Sequence, residues 1–278
     1  LEDEPPLKIN RMLVMDGNNS LKRIAGLRGR TTGDCRTFDS DYFISEEFVN
    51  SFAHEPLLNA LNETVEPTPC ADNWKAAMAS EVKRMWGIYR ETGVFATACR
   101  HGFILWLADM VQSGELAKYP LAMTAKILEV LGDNNILAYD IGCAFEGTLS
   151  RSSLAPKVKE NKLRCCVNAF HGTAHNAACQ TKYHPDVIEG MGLEDLETCE
   201  HIFSSSNQLA RLTRYATAFH RHQFIDLHFQ QWDEDKYTNL GKMLYGNYRQ
   251  ALGIIDTESD AVLEAAKALN VNPDDFER

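Results

Sequence analysis

Two short apolar runs end in a carboxylate: Met12-Leu-Val-Met is closed by Asp16, and Asn135-Ile-Leu-Ala-Tyr by Asp140. An acid at a strand end faces out from a sheet edge, so neighbouring strands would let Asp16 and Asp140 share cations. Hard divalent ions such as Mg²⁺ prefer oxygen ligands. Two such ions about 4 Å apart stabilise both the attacking and the departing oxygen of an in-line displacement at phosphorus. On their own the two acids read equally well as loop caps. A third ligand would come from a helix, and Gly192 to Asn207 is the candidate segment. On an ideal helix of about 3.6 residues per turn, Leu193, Leu196, Cys199 and Phe203 form an apolar stripe, with Glu200 at its edge and Glu197 further round toward water. A carboxylate bordering a buried face is costly without a partner. Glu200 is therefore the preferred ligand and Glu197 the alternative; a solvated acidic helix is the rival reading.

Softer donors form a second constellation. Cys166, His171, His175 and Cys179 are spaced Cys-x4-His-x3-His-x3-Cys, and the last three would share one face of a helix. Thiolate and imidazole at that spacing suit tetrahedral Zn²⁺. The rival readings are ordinary core residues and, for His175, a place beside the acids. Cys70, Cys99 and His101 form a weaker set, better read as buried thiols. Basic residues lie close in sequence to the acids: Lys22, Arg23, Arg28 and Arg30 follow Asp16, while Arg211, Arg214, Arg221 and His222 follow Glu200. Both groups are candidates to hold phosphates, with solvated surface charge as the rival.

The elements that must position these residues are read from periodicity. Residues 11–16 predict a strand, Gly17-Asn18-Asn19 a turn and Leu21 to Leu27 a second strand, together a hairpin. Residues 29–70 are turn-rich and closed by Pro67 and Pro69. From Trp74 to Gly132 the spacing is helical, through Trp74, Ala77, Met78, Val82 and Met85 and then Leu105, Ala108, Met110 and Val111. Leu163 to Phe170 predicts another strand, and helices dominate from His175 onward, with an amphipathic tail over Asp256 to Arg278. Trp74, Trp86, Trp106, Phe224 and Phe229 are assigned to the core. The order implies an α/β fold. Its parts are residues 1–70 (strands plus loop), 71–133 (a helical insertion between the first two acids), 134–255 (the rest of the core with its helices) and 256–278 (a C-terminal helix).

Bulk properties fit a folded chain. Of 278 residues, 44% are apolar and 24% charged, enough to bury a core. The longest apolar stretch, Phe103 to Val111, is interrupted by Asp109 and falls well short of the roughly 20 residues of a membrane span. No secretory signal opens the sequence, so the eight cysteines read as reduced thiols or metal ligands. The missing initiator Met suggests a segment of a longer protein. A net charge of −11 argues against a surface that is phosphate-binding throughout and leaves local contacts open.

Five motifs give the residues a wider context: Met15-Asp-Gly-Asn-Asn-Ser-Leu-Lys-Arg23, Cys99-Arg-His-Gly-Phe103, Tyr139-Asp-Ile-Gly-Cys143, Asn168-Ala-Phe-His-Gly-Thr-Ala-His175 and Glu197-Thr-Cys-Glu-His-Ile-Phe-Ser204. In this order, over about Leu13 to Leu252, the chain resembles the Kyakuja-Dileera-Zisupton (KDZ) transposases, particularly those of fungal genomes. The resemblance implies an RNase H-like mixed sheet flanked by helices and a DDE triad that cleaves and transfers DNA strands with Mg²⁺ or Mn²⁺. Asp16 and Asp140 match the first two acids, and Glu200 matches the acid of the last motif. His201 stands where the family often has Arg, and Leu196-Glu197-Thr198 where many members have Gly-Glu-Gly. A catalytically inactive or domesticated copy that binds DNA or protein is accordingly the alternative. The implied partners are transposon-end and target DNA, held in part by Lys22, Arg23, Arg211 and Arg214. The implied setting is nuclear, without a membrane, as a homo-oligomer on DNA, with further zinc or DNA-binding modules outside this segment.

Overall fold

The computed structural model describes residues 7–26, 34–53 and 87–272. In chain order the elements are β1 (Arg11–Asn18), β2 (Arg23–Ile24), α1 (Glu46–Ser51), β3 (Tyr89–Cys99), β4 (Ile104–Val111), α2 (Lys118–Val130), β5 (Asn135–Ala138), α3 (Gly142–Arg151), α4 (Ala155–Glu160), β6 (Arg164–Cys166), α5 (Ala169–Gly172), α6 (Ala177–Tyr183), α7 (Thr198–Ser206), α8 (Ala210–Thr213) and α9 (Ala218–Leu269). The chain divides into two units, Leu1–Gln231 and Trp232–Arg278. The described part of the second is the continuation of α9 and a short tail. The C-terminal helix expected from 256 lies within α9.

The sheet is mixed. β3 pairs antiparallel with β1, β2 and β4, while β1 pairs parallel with β5 and β5 parallel with β6. One face carries the main apolar cluster: Leu13, Met15, Phe95, Met110, Leu137 and Tyr139 meet Tyr119, Met123 and Ile127 of α2 and Phe145 and Leu149 of α3. On the opposite face α7 lies against β1 and β3, with Cys199, Ile202 and Phe203 buried. Among the described residues no helix is long and apolar enough to cross a membrane.

Two expectations about this region are corrected. The expected hairpin does not form: β1 runs on through Gly17 and Asn18, and of residues 21–26 only Arg23 and Ile24 form strand, pairing with β3. The helical reading of Trp74 to Gly132 fails over 89–111, which is an antiparallel hairpin of β3 and β4 inside the sheet. Leu105, Ala108 and Met110 have near-helical spacing, but so short an apolar run fits a buried strand equally well. The hairpin turns at Gly102, whose φ of 90° is readily available only to glycine. Within that stretch only α2 is helical among the described residues; Trp74, Trp86, Cys70, Arg28 and Arg30 lie outside them. Of the assigned core aromatics, Phe229 is fully buried and Trp106 packs against the main cluster.

Candidate active site

Because β1 and β5 are parallel neighbours in the register Leu13↔Leu137 and Val14↔Ala138, Asp16 and Asp140 lie level with each other just beyond the last paired residues. Leu13, Met15, Leu137 and Tyr139 all belong to the cluster on one face. Alternation therefore turns Asp16 and Asp140 to the other face, where α7 sits. The loop after Asp140 is held by close packing, since a Cβ on Gly142 would come within 2.0 Å of the Cys166 carbonyl oxygen.

Several hydrogen bonds fix α7 and the segment before it. The Asn18 amide donates to Asn207 Oδ1 (2.9 Å), Asn168 Nδ2 to the Leu196 carbonyl (2.8 Å) and the Ala169 N–H to the Asp195 carbonyl (2.9 Å). The helix starts only at Thr198. Ahead of it Gly192 and Leu196 have φ of 61° and 59°, so the apolar stripe drawn from Leu193 does not form and Leu193 is 68% exposed. The expected burial of the two glutamates is reversed in consequence. Glu197, the N-cap residue, has a side chain only 14% exposed and accepts from the Phe170 N–H at 2.8 Å, whereas Glu200 is exposed.

The carboxylates are electrostatically one group. Burial first, and then the charges of Asp140 and Glu115, push the Asp16 pKa well above the ordinary range; Glu200 adds to this, and the Gly17 N–H donating to Asp16 at 2.7 Å opposes it. Burial raises Asp140 to about 6, with Glu197 and Glu200 adding and His171 opposing. Burial and Asp140 raise Glu115 to about 7, against a hydrogen bond from the Tyr139 hydroxyl (3.4 Å). Glu115, in the connection after β4, has no periodic signature and was missed in the sequence. His171 Nδ1 lies 3.4 Å from both Asp140 Oδ1 and Glu197 Oε2. This nitrogen is buried without hydrogen-bond geometry to either, although the side chain is 33% exposed.

The four expected soft ligands separate. His171 stands with the acids, and Cys166 is buried in β6, where burial pushes its thiol up to about 12. His175 and Cys179 do meet, and the third member is Cys143 from the first turn of α3. These three can hold a metal ion: their ligand atoms all lie within 4.8 Å of one another, and they are the set that does so among the described residues. The oxygens of Asp16, Asp140 and Glu200 are thus not gathered around one point. Of the weaker set, Cys99 Sγ lies 3.9 Å from His101 Nδ1.

The basic residues also divide. Arg23 makes a two-pronged ion pair with Glu91 (2.5 and 2.8 Å). Arg221 is fully buried, bound to Asp109 and to the carbonyls of Leu21 and Gly93, while His222 bonds the other Asp109 oxygen at 2.6 Å. The place of Arg221 in the core corrects its reading as a phosphate contact, whereas His222, with a side chain 26% exposed, is held by Asp109. Arg211 and Arg214 are exposed, and Arg214 is close enough to Lys22 to depress its pKa after burial has done so.

The family model of the Kyakuja-Dileera-Zisupton transposases matches residues 9–233, most of the chain and close to the whole of its first unit. The chain belongs to this KDZ family. All five motifs fall inside the match, which ends at 233, short of the Leu252 limit read from the sequence. No curated protein and no solved structure matches the chain. KDZ membership makes this a transposase at the coarse level, an enzyme of transposition with DNA as its partner and a nuclear role.

Proposed function

We propose that this KDZ chain is the catalytic core of a DDE-type transposase with an RNase H-like fold, in which Asp16, Asp140 and Glu200 hold Mg²⁺ or Mn²⁺ for DNA strand cleavage and strand transfer. The observation that carries the reading is the level placement of Asp16 and Asp140 on adjacent parallel strands, with the Asp140 charge helping to raise the Asp16 pKa. The antiparallel pairing of β1, β3 and β4, followed by β5 and β6 parallel to β1, supports the RNase H-like assignment. The donor set fits hard cations, because buried like charges are costly without a partner and every contributor is a carboxylate. When bound, such ions activate the attacking oxygen and stabilise the departing one.

The chain's own groups supply position. Asp16 is fixed by the Gly17 N–H. His171 stands between Asp140 and Glu197, within ion-pair distance of each. Glu200 interacts with both aspartates, which favours it as third ligand, while the more buried Glu197 is the alternative. The exposed Arg211 and Arg214 and the half-buried Lys22 hold DNA phosphates, with Arg23 contributing only if released from Glu91. The exposure of Glu200 favours a second reading, an inactive copy that retains DNA or protein binding. Assembly as a homo-oligomer on DNA in the nucleus, with further modules elsewhere, completes the proposal.

Nicking of supercoiled plasmid by the whole chain with Mn²⁺ separates the two readings. Wild type nicks, and Asp16→Asn and Asp140→Asn lose at least about 10²-fold in rate with unchanged circular dichroism. An Asp140→Asn protein as fast as wild type rules out the DDE assignment; a wild type that binds DNA and never nicks it supports the inactive copy.

A further inference from the structure

Apart from the acids, the described residues hold one convergence of soft donors that the DNA chemistry does not use. Cys143 Sγ lies 3.5 Å from His175 Nδ1, and His175 Nδ1 lies 3.2 Å from Cys179 Sγ. Tetrahedral Zn²⁺, with Zn–S near 2.3 Å and Zn–N near 2.0–2.1 Å, separates an S and an N ligand by roughly 3.5 Å. The observed spacings are close to that edge length. An imidazole nitrogen has one lone pair and accepts one S–H, whereas a cation takes all three donors together. Both sulfurs are buried and the imidazole is partly exposed, which leaves a fourth position for water.

The ligands are also held in place. The Asn176 side chain caps α6 by accepting from the Cys179 N–H (2.9 Å), and the Gln180 amide donates to the His175 carbonyl (2.7 Å). Cys143 and Cys179 pack with Val167 and Tyr183. The His175 ring hydrogen-bonds the backbone of Asp140, an outer contact of the kind that orients histidine ligands in metal sites.

We propose that Cys143, His175 and Cys179 form a zinc site, distinct from the carboxylates, that clamps the turn after Asp140 to the segment carrying His171. Cys143 follows Asp140 by one short turn, and His175 follows His171 by four residues. One ion would thereby fix the spacing of two groups in the acid site. Two thiolates and a neutral imidazole cancel the charge of Zn²⁺, so the clamp leaves the charge of the acid site unaltered. The role at Asp140 rests on the transposase reading; the zinc itself does not.

The test uses the whole chain, purified without chelator, with zinc measured by elemental analysis and Co²⁺ substitution followed by absorbance. About one zinc per chain is expected, with the intense visible bands of tetrahedral Co²⁺ and a near-ultraviolet thiolate charge-transfer band. Cys143→Ser and Cys179→Ser should bring zinc to background, while Cys166→Ser keeps it. Should either serine variant fail to fold, the Co²⁺ spectrum of wild type still decides. Zinc-free wild type with no thiolate band overturns the proposal, as does zinc lost from Cys166→Ser and kept in Cys143→Ser. Zinc present in a chain that never nicks DNA would leave the metal site standing and defeat only the transposase reading.

Discussion

Two places in this fold bury carboxylates against the same sheet and treat them oppositely. Asp109 on β4 is only 16% exposed, yet Arg221 and His222 bind its two oxygens and their charges hold its pKa well below the usual range despite burial. Asp16, Asp140 and Glu115 face mainly one another, and their pKa values rise. A buried charge with a dedicated counter-charge belongs to the architecture, whereas buried like charges gathered in one region call for a cation from outside the chain. The level placement of Asp16 and Asp140 on neighbouring strands singles out the same carboxylates.

The contrast breaks most visibly at Arg221. Arg221→Ala leaves Asp109 buried without its guanidinium and should cost about 3–5 kcal/mol in urea unfolding. A loss under 1 kcal/mol would mean that the pair is incidental. At the acid site the matching probe is Glu197→Gln, which weakens the hold on His171 while sparing Asp16 and Asp140. It should slow Mn²⁺-dependent nicking roughly 10–100-fold, and Glu200→Gln should slow it further. The reverse order would make Glu197 the third ligand.

Stability against pH sharpens the comparison through its sign. In divalent-free buffer the folded chain keeps protons on Asp140 up to about 6 and on Glu115 up to about 7, whereas the unfolded chain releases them near 3.8 and 4.5. The contribution of these groups is full below those unfolded values and is lost as the pH rises through the folded ones. Asp109 works the other way: its contribution is present above its ordinary 3.8 and is lost as the pH falls toward its depressed folded value. Melting temperatures from pH 4 to 7.5 should therefore decline from the acid site, and saturating Mg²⁺ should remove much of the decline. The smallest effect is expected from Arg214→Ala, which should weaken DNA binding evenly across sequences and lower the salt slope by about 1; an unchanged slope removes Arg214 from the phosphate contacts.

How much of this was legible follows from where each signal lay. Asp16 and Asp140 were readable because each closes a short apolar run, although β1 itself continues two residues past Asp16 to Asn18. The β3–β4 hairpin was hidden because Leu105, Ala108 and Met110 satisfy helical and strand periodicity almost equally. The relative burial of Glu197 and Glu200 depended on where α7 begins, which the backbone turns at Gly192 and Leu196 decide. Cys143 was separated from its partners by more than thirty residues, so no local spacing pointed to it. Glu115 reaches the site from a connection whose path is set by the sheet alone.

The central claim is that Asp16 and Asp140 jointly hold divalent cations. Mn²⁺ titration followed by electron paramagnetic resonance, on zinc-loaded wild type and on Asp16→Asn and Asp140→Asn, addresses it directly. The account predicts tight Mn²⁺ binding in wild type that either substitution weakens by at least tenfold, with the zinc content unchanged. Equal Mn²⁺ binding in all three proteins would contradict it.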